Sequence, residues 1–269
     1  MRKDLMRYVI AHGHMFKNAG STFDSALRAA FGKEGFLDHR DDESMRKGGV
    51  PYLNELLAGA PQVKAISSHH LCSPLPDDGT IRFLPVYFLR DPIERVISVY
   101  NFERKQPVST LGSKKAKELD LLDYVSWRLQ PEVPPTIRNF QTLFIGDSRD
   151  WKRGLEAGGD SLSSAMKVLQ GDRAVFGLVE KFSESFERIM QHLALYFPGV
   201  RFSYQSQNIS STLGAREKKL EAYNLLEPVM EELVQANLYD IALYEFCKAR
   251  FFHLGQKDVE IVRECRVVG

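Results

Sequence analysis

The chain has 269 residues, 43% of them hydrophobic, 26% charged and 11% aromatic, a composition that supports a sizeable folded core and excludes a disordered, collagen-like or disulfide-stapled chain. Thirty-six lysines and arginines face 35 aspartates and glutamates for a formal charge of +1, so the overall balance gives no reason to expect nucleic acid or a polybasic membrane contact as partner. Any anion site must be local.

Cys72, Cys247 and Cys265 are the only cysteines; they form no C-x-x-C pair and have no histidine in metal-ligand register, which reads as reduced thiols and no metal site. No stretch approaches the roughly 18 apolar residues that a membrane span needs. No Gly/Ser-rich or Pro-rich linker divides the sequence, so a single domain over residues 1–269 is expected.

Tyr8–Ala11 is a β-type apolar run that enters His12-Gly13-His14 and a polar, glycine-containing turn. Phe23, Ala26, Leu27 and Ala30 then recur at helical spacing, predicting a helix from Ser21 to Phe31 that Gly32 ends. Gly32 to Gly49 is charged and aperiodic and reads as an excursion over one end of a sheet, a lid or acceptor contact. A second strand is expected over Val63–Ser68, running into His69-His70, and a third over Val86–Leu89, with Pro85 at its entry and Arg90-Asp91-Pro92 at its exit.

Asp91, Pro92 and Glu94 form a helix-start signature, with Ile93, Val96, Ile97 and Tyr100 as the buried face. Gln106 to Lys117 reads as a second lid-like loop, followed by helices around Asp120–Leu129 and Thr136–Phe144. A fourth strand over Ala174–Val179 precedes a helix capped by Ser183 and stopped by Pro198-Gly199. Helices over Arg216–Val234, interrupted by Pro228, and Leu238–Phe252 complete the chain. Alternating strands and helices predict an α/β, three-layer P-loop-type fold with a central parallel sheet flanked by helices.

Two segments carry chemistry. His14 to Thr22 lies between a strand end and a helix start, where unpaired N–H groups and the positive end of the macrodipole favour an anion. Ala19 and Gly20 permit close backbone approach, Lys17 adds charge, Asn18 lies between them, and Ser21 and Thr22 add hydroxyl donors. Because Lys17 precedes Gly20, this is not the Walker A pattern. The second segment ends a strand with Arg90 and continues to Ser98, two helical turns past the cap; a guanidinium and a hydroxyl there suit a phosphate monoester. Two such corners suit a nucleotide with phosphates at both ends better than a triphosphate.

These residues resemble the sulfotransferases that use 3′-phosphoadenosine 5′-phosphosulfate (PAPS), in particular the branch with heparan sulfate 2-O and 6-O enzymes and bacterial carbohydrate-type relatives. His14, Lys17, Ala19, Gly20 and Ser21 stand in the places of a His-x-x-Lys-x-[Ala/Gly]-[Gly/Ser]-[Ser/Thr] loop, and Leu89, Arg90, Asp91, Pro92, Arg95 and Ser98 fill a Leu-Arg-Asp-Pro-x-x-Arg-x-x-Ser motif. Asn139-Phe140-Gln141-Thr142, Phe176 to Phe182 and Asp240 to Tyr244 also look familial, so the likeness extends over nearly the whole chain. Phe16 and Leu143 depart from it, at places where a proline and an arginine are usual.

The resemblance implies a 5′-phosphosulfate loop at residues 17–22, a 3′-phosphate contact at Arg90 and Ser98, and PAPS as donor with 3′-phosphoadenosine 5′-phosphate (PAP) as product. It implies Lys17 as stabiliser of the leaving oxygen and His69 as general base, with His70 the alternative. His14 is expected to order the loop. The acceptor is a hydroxyl of a carbohydrate or small molecule, read by the loops. A first strand beginning about eight residues from Met1, with no apolar helix before it, suggests a cytoplasmic enzyme. The competing classes are a P-loop-type nucleotide kinase, which would need the Walker A lysine and a carboxylate for Mg²⁺, and a non-catalytic nucleotide-binding interaction module.

Overall fold

The computed structural model describes residues 6–76, 79–146, 157–204 and 213–267, with the side chains of residues 50, 213–215 and 253–267 outside the description. Five parallel strands form the sheet: β1 (Arg7–Gly13), β2 (Phe36–Asp38), β3 (Ala65–Ser68), β4 (Ile81–Leu89) and β5 (Val175–Leu178). Their order is β2-β3-β1-β4-β5, so β1 lies at the centre with β3 and β4 beside it. The helices are α1 (Gly20–Gly35), α2 (Glu43–Ala58), α3 (Pro92–Lys105), α4 (Leu111–Glu118), α5 (Leu121–Leu129), α6 (Phe140–Gly146), α7 (Gly159–Gln170), α8 (Phe182–Ala194), α9 (Leu213–Leu226), α10 (Met230–Gln235) and α11 (Leu238–Val267).

Alternate residues of the buried strands feed opposite layers, as the period of two requires. Ile10, Ala65, Leu84, Val86 and Phe88 pack on one face with Phe23 and Leu27 of α1 and Phe186 and Ile189 of α8. The other face is covered in two parts. Val9, Ala11, Ile66 and Phe83 meet Met45, Leu53 and Leu57 of α2, while Tyr87 and Leu89 meet Phe144 of α6, Leu169 of α7 and Leu243 of α11. A further cluster joins α3, α5, α9 and α10 through Val96, Tyr100, Tyr124, Leu226 and Leu233. The expected three-layer parallel α/β architecture is therefore present, with helices on both faces.

Several local expectations need correction. The segment from Gly32 to Gly49 is not a loop: it holds the edge strand β2, paired with β3, and the start of α2, capped by Asp42 accepting from the Met45 N–H at 2.7 Å. Its apolar residues Phe36, Leu37 and Met45 are too few to show a period among so many charges. Gly32 does break α1, with φ 69°. The second presumed lid contains α4, whose capping box joins Thr110 and Ser113, and α7 had no recognised signal. Ser183 lies inside α8 and bonds Tyr204 through its hydroxyl at 2.8 Å. Pro85 lies mid-strand, one residue before β4 begins to pair with β5 at Val86, so no β4–β5 bond is lost to its missing N–H.

The start of α6 is held from a distance. Buried Asp240 accepts from the N–H groups of Gln141 and Thr142 at 3.0 and 2.7 Å, and Asn139, at φ 43°, accepts through its side chain from the N–H groups of Tyr239 and Asp240. Asp240→Ala leaves two buried donors without acceptors, and the expected cost is about 2–4 kcal/mol. Urea unfolding of the variant should show a lower midpoint at unchanged slope.

Candidate functional site

The C-terminal ends of β3, β1 and β4, three adjacent strands, carry the residues singled out by sequence. The β1–α1 loop is built on an unusual backbone: Lys17 and Ala19 have φ of 67° and 58°, left-handed values that disfavour side-chain-bearing residues by about 1–3 kcal/mol each. Two arginines hold it there. Arg90 Nη1 donates to the Lys17 carbonyl at 3.3 Å, and Arg95 Nε donates to the Phe16 carbonyl at 3.1 Å. Since the N–H and C=O of a trans peptide point in opposite directions, pinning these carbonyls also sets where the N–H groups of Lys17 and Asn18 aim. The N–H groups of Ala19, Gly20 and Ser21, next along the chain at the N-terminus of α1, have no backbone acceptor among the described residues.

Arg95 is almost fully buried, at 1% exposure. It also donates to the Thr136 carbonyl at 2.9 Å and lies 3.9 Å over the Phe140 ring. Burial pulls its pKa down to about 10, which still leaves it charged at neutral pH. Gln141 completes the frame. Its Oε1 accepts from the Arg90 N–H at 2.9 Å and its Nε2 donates to the Arg90 carbonyl at 2.9 Å, while Asn18 Nδ2 donates to both Gln141 Oε1 and the Phe88 carbonyl at 2.7 Å. One buried amide thus couples the Lys17 loop to the end of β4.

Asn18 is itself buried, so its side chain serves the frame and the Asn18 N–H is bonded to the Met15 carbonyl. Ser21 is exposed, Thr22 half-buried, and Ser98 half-buried on α3. Lys17 places Nζ 4.5 Å from the Phe102 ring centroid; burial first, and then Arg90, lowers its pKa. Arg90 Nε is buried and has no hydrogen-bond partner among the described residues. Asp91 caps α3 by accepting from the N–H groups of Ile93 and Glu94, both at 3.0 Å. Its own N–H donates to Glu180 at 2.9 Å, so the acceptor for that group comes from another element and not from Glu94. Leu143 is completely buried.

On the β3 side, His69 Nδ1 lies 2.5 Å from the His14 carbonyl oxygen. A carbonyl can only accept, so Nδ1 carries the proton and Nε2 is left as the basic nitrogen of the neutral ring. Burial, then the neighbouring His14, lowers the His69 pKa. His70 is half-buried and bonds the Ser68 hydroxyl through its own N–H at 3.0 Å. His14 lies in the loop itself, its ring 4.7 Å from that of His69. A Cβ on Gly20 would come within 2.4 Å of the His14 ring, so glycine is required there by close approach.

Sequence reasoning passed over Asp24. This buried carboxylate, one turn into α1, accepts from His12 Nδ1 and His14 Nδ1, each at 2.7 Å. Although burial opposes ionisation, the two imidazoles hold its pKa far below the usual carboxylate range. His12, His14 and Asp24 are also residue types that ligate divalent ions. Their 2.7 Å separations are those of direct hydrogen bonds, shorter than the roughly 3.0–3.4 Å between two ligands of one ion at about 2.1 Å.

No protein-family model matches the chain. An uncharacterized protein of Archaeoglobus fulgidus is 27% identical over 248 residues, spanning 89% of this chain and 95% of that protein. Among solved structures, a sulfotransferase from Alicyclobacillus acidocaldarius aligns at 14% identity over 84% of this chain and 97% of its own, with a TM-score of 0.41. Mouse sulfotransferase SULT7A1 complexed with PAP aligns at 10% identity over 92% of this chain and 90% of its own, with a TM-score of 0.42. No helix among the described residues is long and apolar enough to cross a membrane.

The lowered pKa values of His14 and His69 have a consequence for stability. Both bind protons more weakly folded than at the ordinary histidine value of 6.5, so below that pH the unfolded chain takes up more protons and stability falls with falling pH. The urea midpoint should be lower at about pH 5.5 than at about pH 7.5. Replacing both histidines with glutamine should flatten the difference.

Proposed function

We propose that the protein is a PAPS-dependent sulfotransferase that moves a sulfuryl group to a hydroxyl of a carbohydrate or small-molecule acceptor. The observation that carries this reading is the convergence of three groups at neighbouring strand ends: the Lys17 loop after β1, Arg90 after β4 and His69 after β3. The residues present fit the donor. Arg90 has a buried Nε without a partner, and the backbone donors at Ala19, Gly20 and Ser21 are unspent.

In this reading the N–H groups of residues 19–21, with the Ser21 and Thr22 hydroxyls, hold the 5′-phosphosulfate, while Arg90 and Ser98 hold the 3′-phosphate. Asn18 contributes by fixing the loop through Phe88 and Gln141. PAPS supplies a sulfonate attached to a phosphate leaving group. Lys17 neutralises the charge that grows on the departing oxygen, an effect commonly worth 10²–10³ in rate. Nε2 of His69 takes the proton of the acceptor hydroxyl as its oxygen bonds to sulfur, and no metal is needed for either role.

Calorimetry with PAP, and separately with ATP and Mg²⁺, tests this assignment. PAP should bind with micromolar affinity, and Lys17→Ala and Arg90→Ala should each weaken it by about tenfold or more. Binding of ATP with Mg²⁺ in place of PAP overturns the assignment in favour of a kinase. His69→Ala should keep PAP affinity and lose transfer by about 10²–10⁴; full activity in that variant removes His69 as the base. Because the His69 pKa lies below 6.5, the acidic limb of the wild-type rate profile should also fall below that pH.

A further inference from the structure

The chain of contacts behind His69 reaches a residue that touches no substrate in the reading above. Asp24 sits on α1, and both its carboxylate oxygens are occupied, Oδ1 by His12 and Oδ2 by His14. An ionised carboxylate only accepts, so both rings must present Nδ1–H, and neither has a free choice of tautomer. His12 near the end of β1 and His14 just past it turn their rings to the same carboxylate, with ring centroids 5.2 Å apart. Every element packed around His14 contributes a polar group: His12 from β1, Asp24 from α1, Arg40 after β2, with Nε 3.6 Å from Asp24, and from β3 the Ser67 hydroxyl, 3.4 Å from His14 Nδ1, together with His69.

His14 is then fixed at three points. Its ring is clamped between Asp24 and the bare α-carbon of Gly20, its N–H donates to the Ser68 carbonyl at 3.1 Å, and its carbonyl accepts from His69. We propose that Asp24 is a positioning residue for the base: by holding the His14 ring in one tautomer and place, it aims the His14 carbonyl at His69 Nδ1–H and so keeps His69 Nε2 free to accept a proton. The arrangement passes orientation from α1 through His14, just past β1, to His69, just past β3, and no proton travels along it. It rests on the reading of His69 as base, but the tautomer it dictates exists whether or not sulfonate is transferred.

The test uses the full chain with ¹⁵N-labelled histidine, in which long-range proton–nitrogen spectra distinguish Nδ1–H from Nε2–H. In the wild type at about pH 7.5, His12, His14 and His69 should all appear as Nδ1–H. Asp24→Asn replaces one acceptor oxygen by a donor, so one histidine must reverse or lose its bond. The His69 signal should then become a mixture of tautomers and kcat should fall about 10–100-fold, with PAP affinity within about threefold of wild type.

An Nε2–H tautomer of His69 in the wild type overturns the proposal, as does a folded Asp24→Asn variant with an unaltered His69 spectrum. If Asp24→Asn does not fold, His14→Gln, which removes the clamped ring and keeps the carbonyl, should produce the same mixture, and an unchanged His69 signal there overturns it equally. Failure of PAP to bind the wild type would strike the sulfotransferase assignment alone, because the spectra report the Asp24 relay independently.

Discussion

Two guanidinium groups holding consecutive carbonyls are the contact on which the site depends. Lys17 and Ala19 adopt a backbone that their side chains disfavour, and within the loop only Asn18 holds it, through its N–H to Met15 and its side chain to Phe88 and Gln141. Arg90 at the end of β4 and Arg95 on α3, five residues apart, supply further interactions from outside the loop. Burying Arg95 costs free energy, and part of that cost is offset by its bonds to Phe16 and Thr136 and its contact with the Phe140 face. The segment beginning at Arg90 therefore shapes the neighbouring loop as well as opening α3.

Gln141 extends the same logic. A side-chain amide both donates and accepts, and here it uses both abilities on the backbone of Arg90 while also receiving Asn18. Its place is fixed in turn by Asp240 at the start of α6 and α11. Helix α11 is thus tied to the first loop through Asp240, Gln141 and Asn18. Buried polar networks of this sort are stabilising only when nearly every member is satisfied, and here Arg90 Nε, Asn18 Oδ1 and Arg95 Nη2 are buried with no hydrogen-bond partner among the described residues.

The parts of this arrangement that sequence reveals are those with a local signature. Apolar runs located β1, β3, β4 and β5, and the Asp91-Pro92 pair located α3, because each depends on neighbours within a few residues. The Lys17 loop and Arg90 were legible by residue type and spacing. Asp24 and the role of Gln141 were not: an aspartate in a helix of mixed polarity carries no mark of burial, and a glutamine before Thr142 gives no hint that its partners lie 51 and 123 residues away. The same limit applies to β2, whose three residues follow a broken helix, and to α4, whose polar sequence conceals its period, whereas α7 carries Leu162, Ala165, Met166 and Leu169 at helical spacing and was legible in principle.

The shape of the sheet has a bearing on how the protein behaves at high concentration. Its edge strands are short, three residues in β2 and four in β5, no longer than the interior β3, while the longest, β1 and β4, are enclosed on both sides. An open margin recruits foreign strands in proportion to the run of unpaired N–H and C=O groups that it displays. Here that run is little more than one turn of pleat on either side. Lengthening β2 or β5 during engineering would therefore enlarge the surface most prone to strand-to-strand aggregation, and changes meant to improve handling are better placed on the outer faces of the helices.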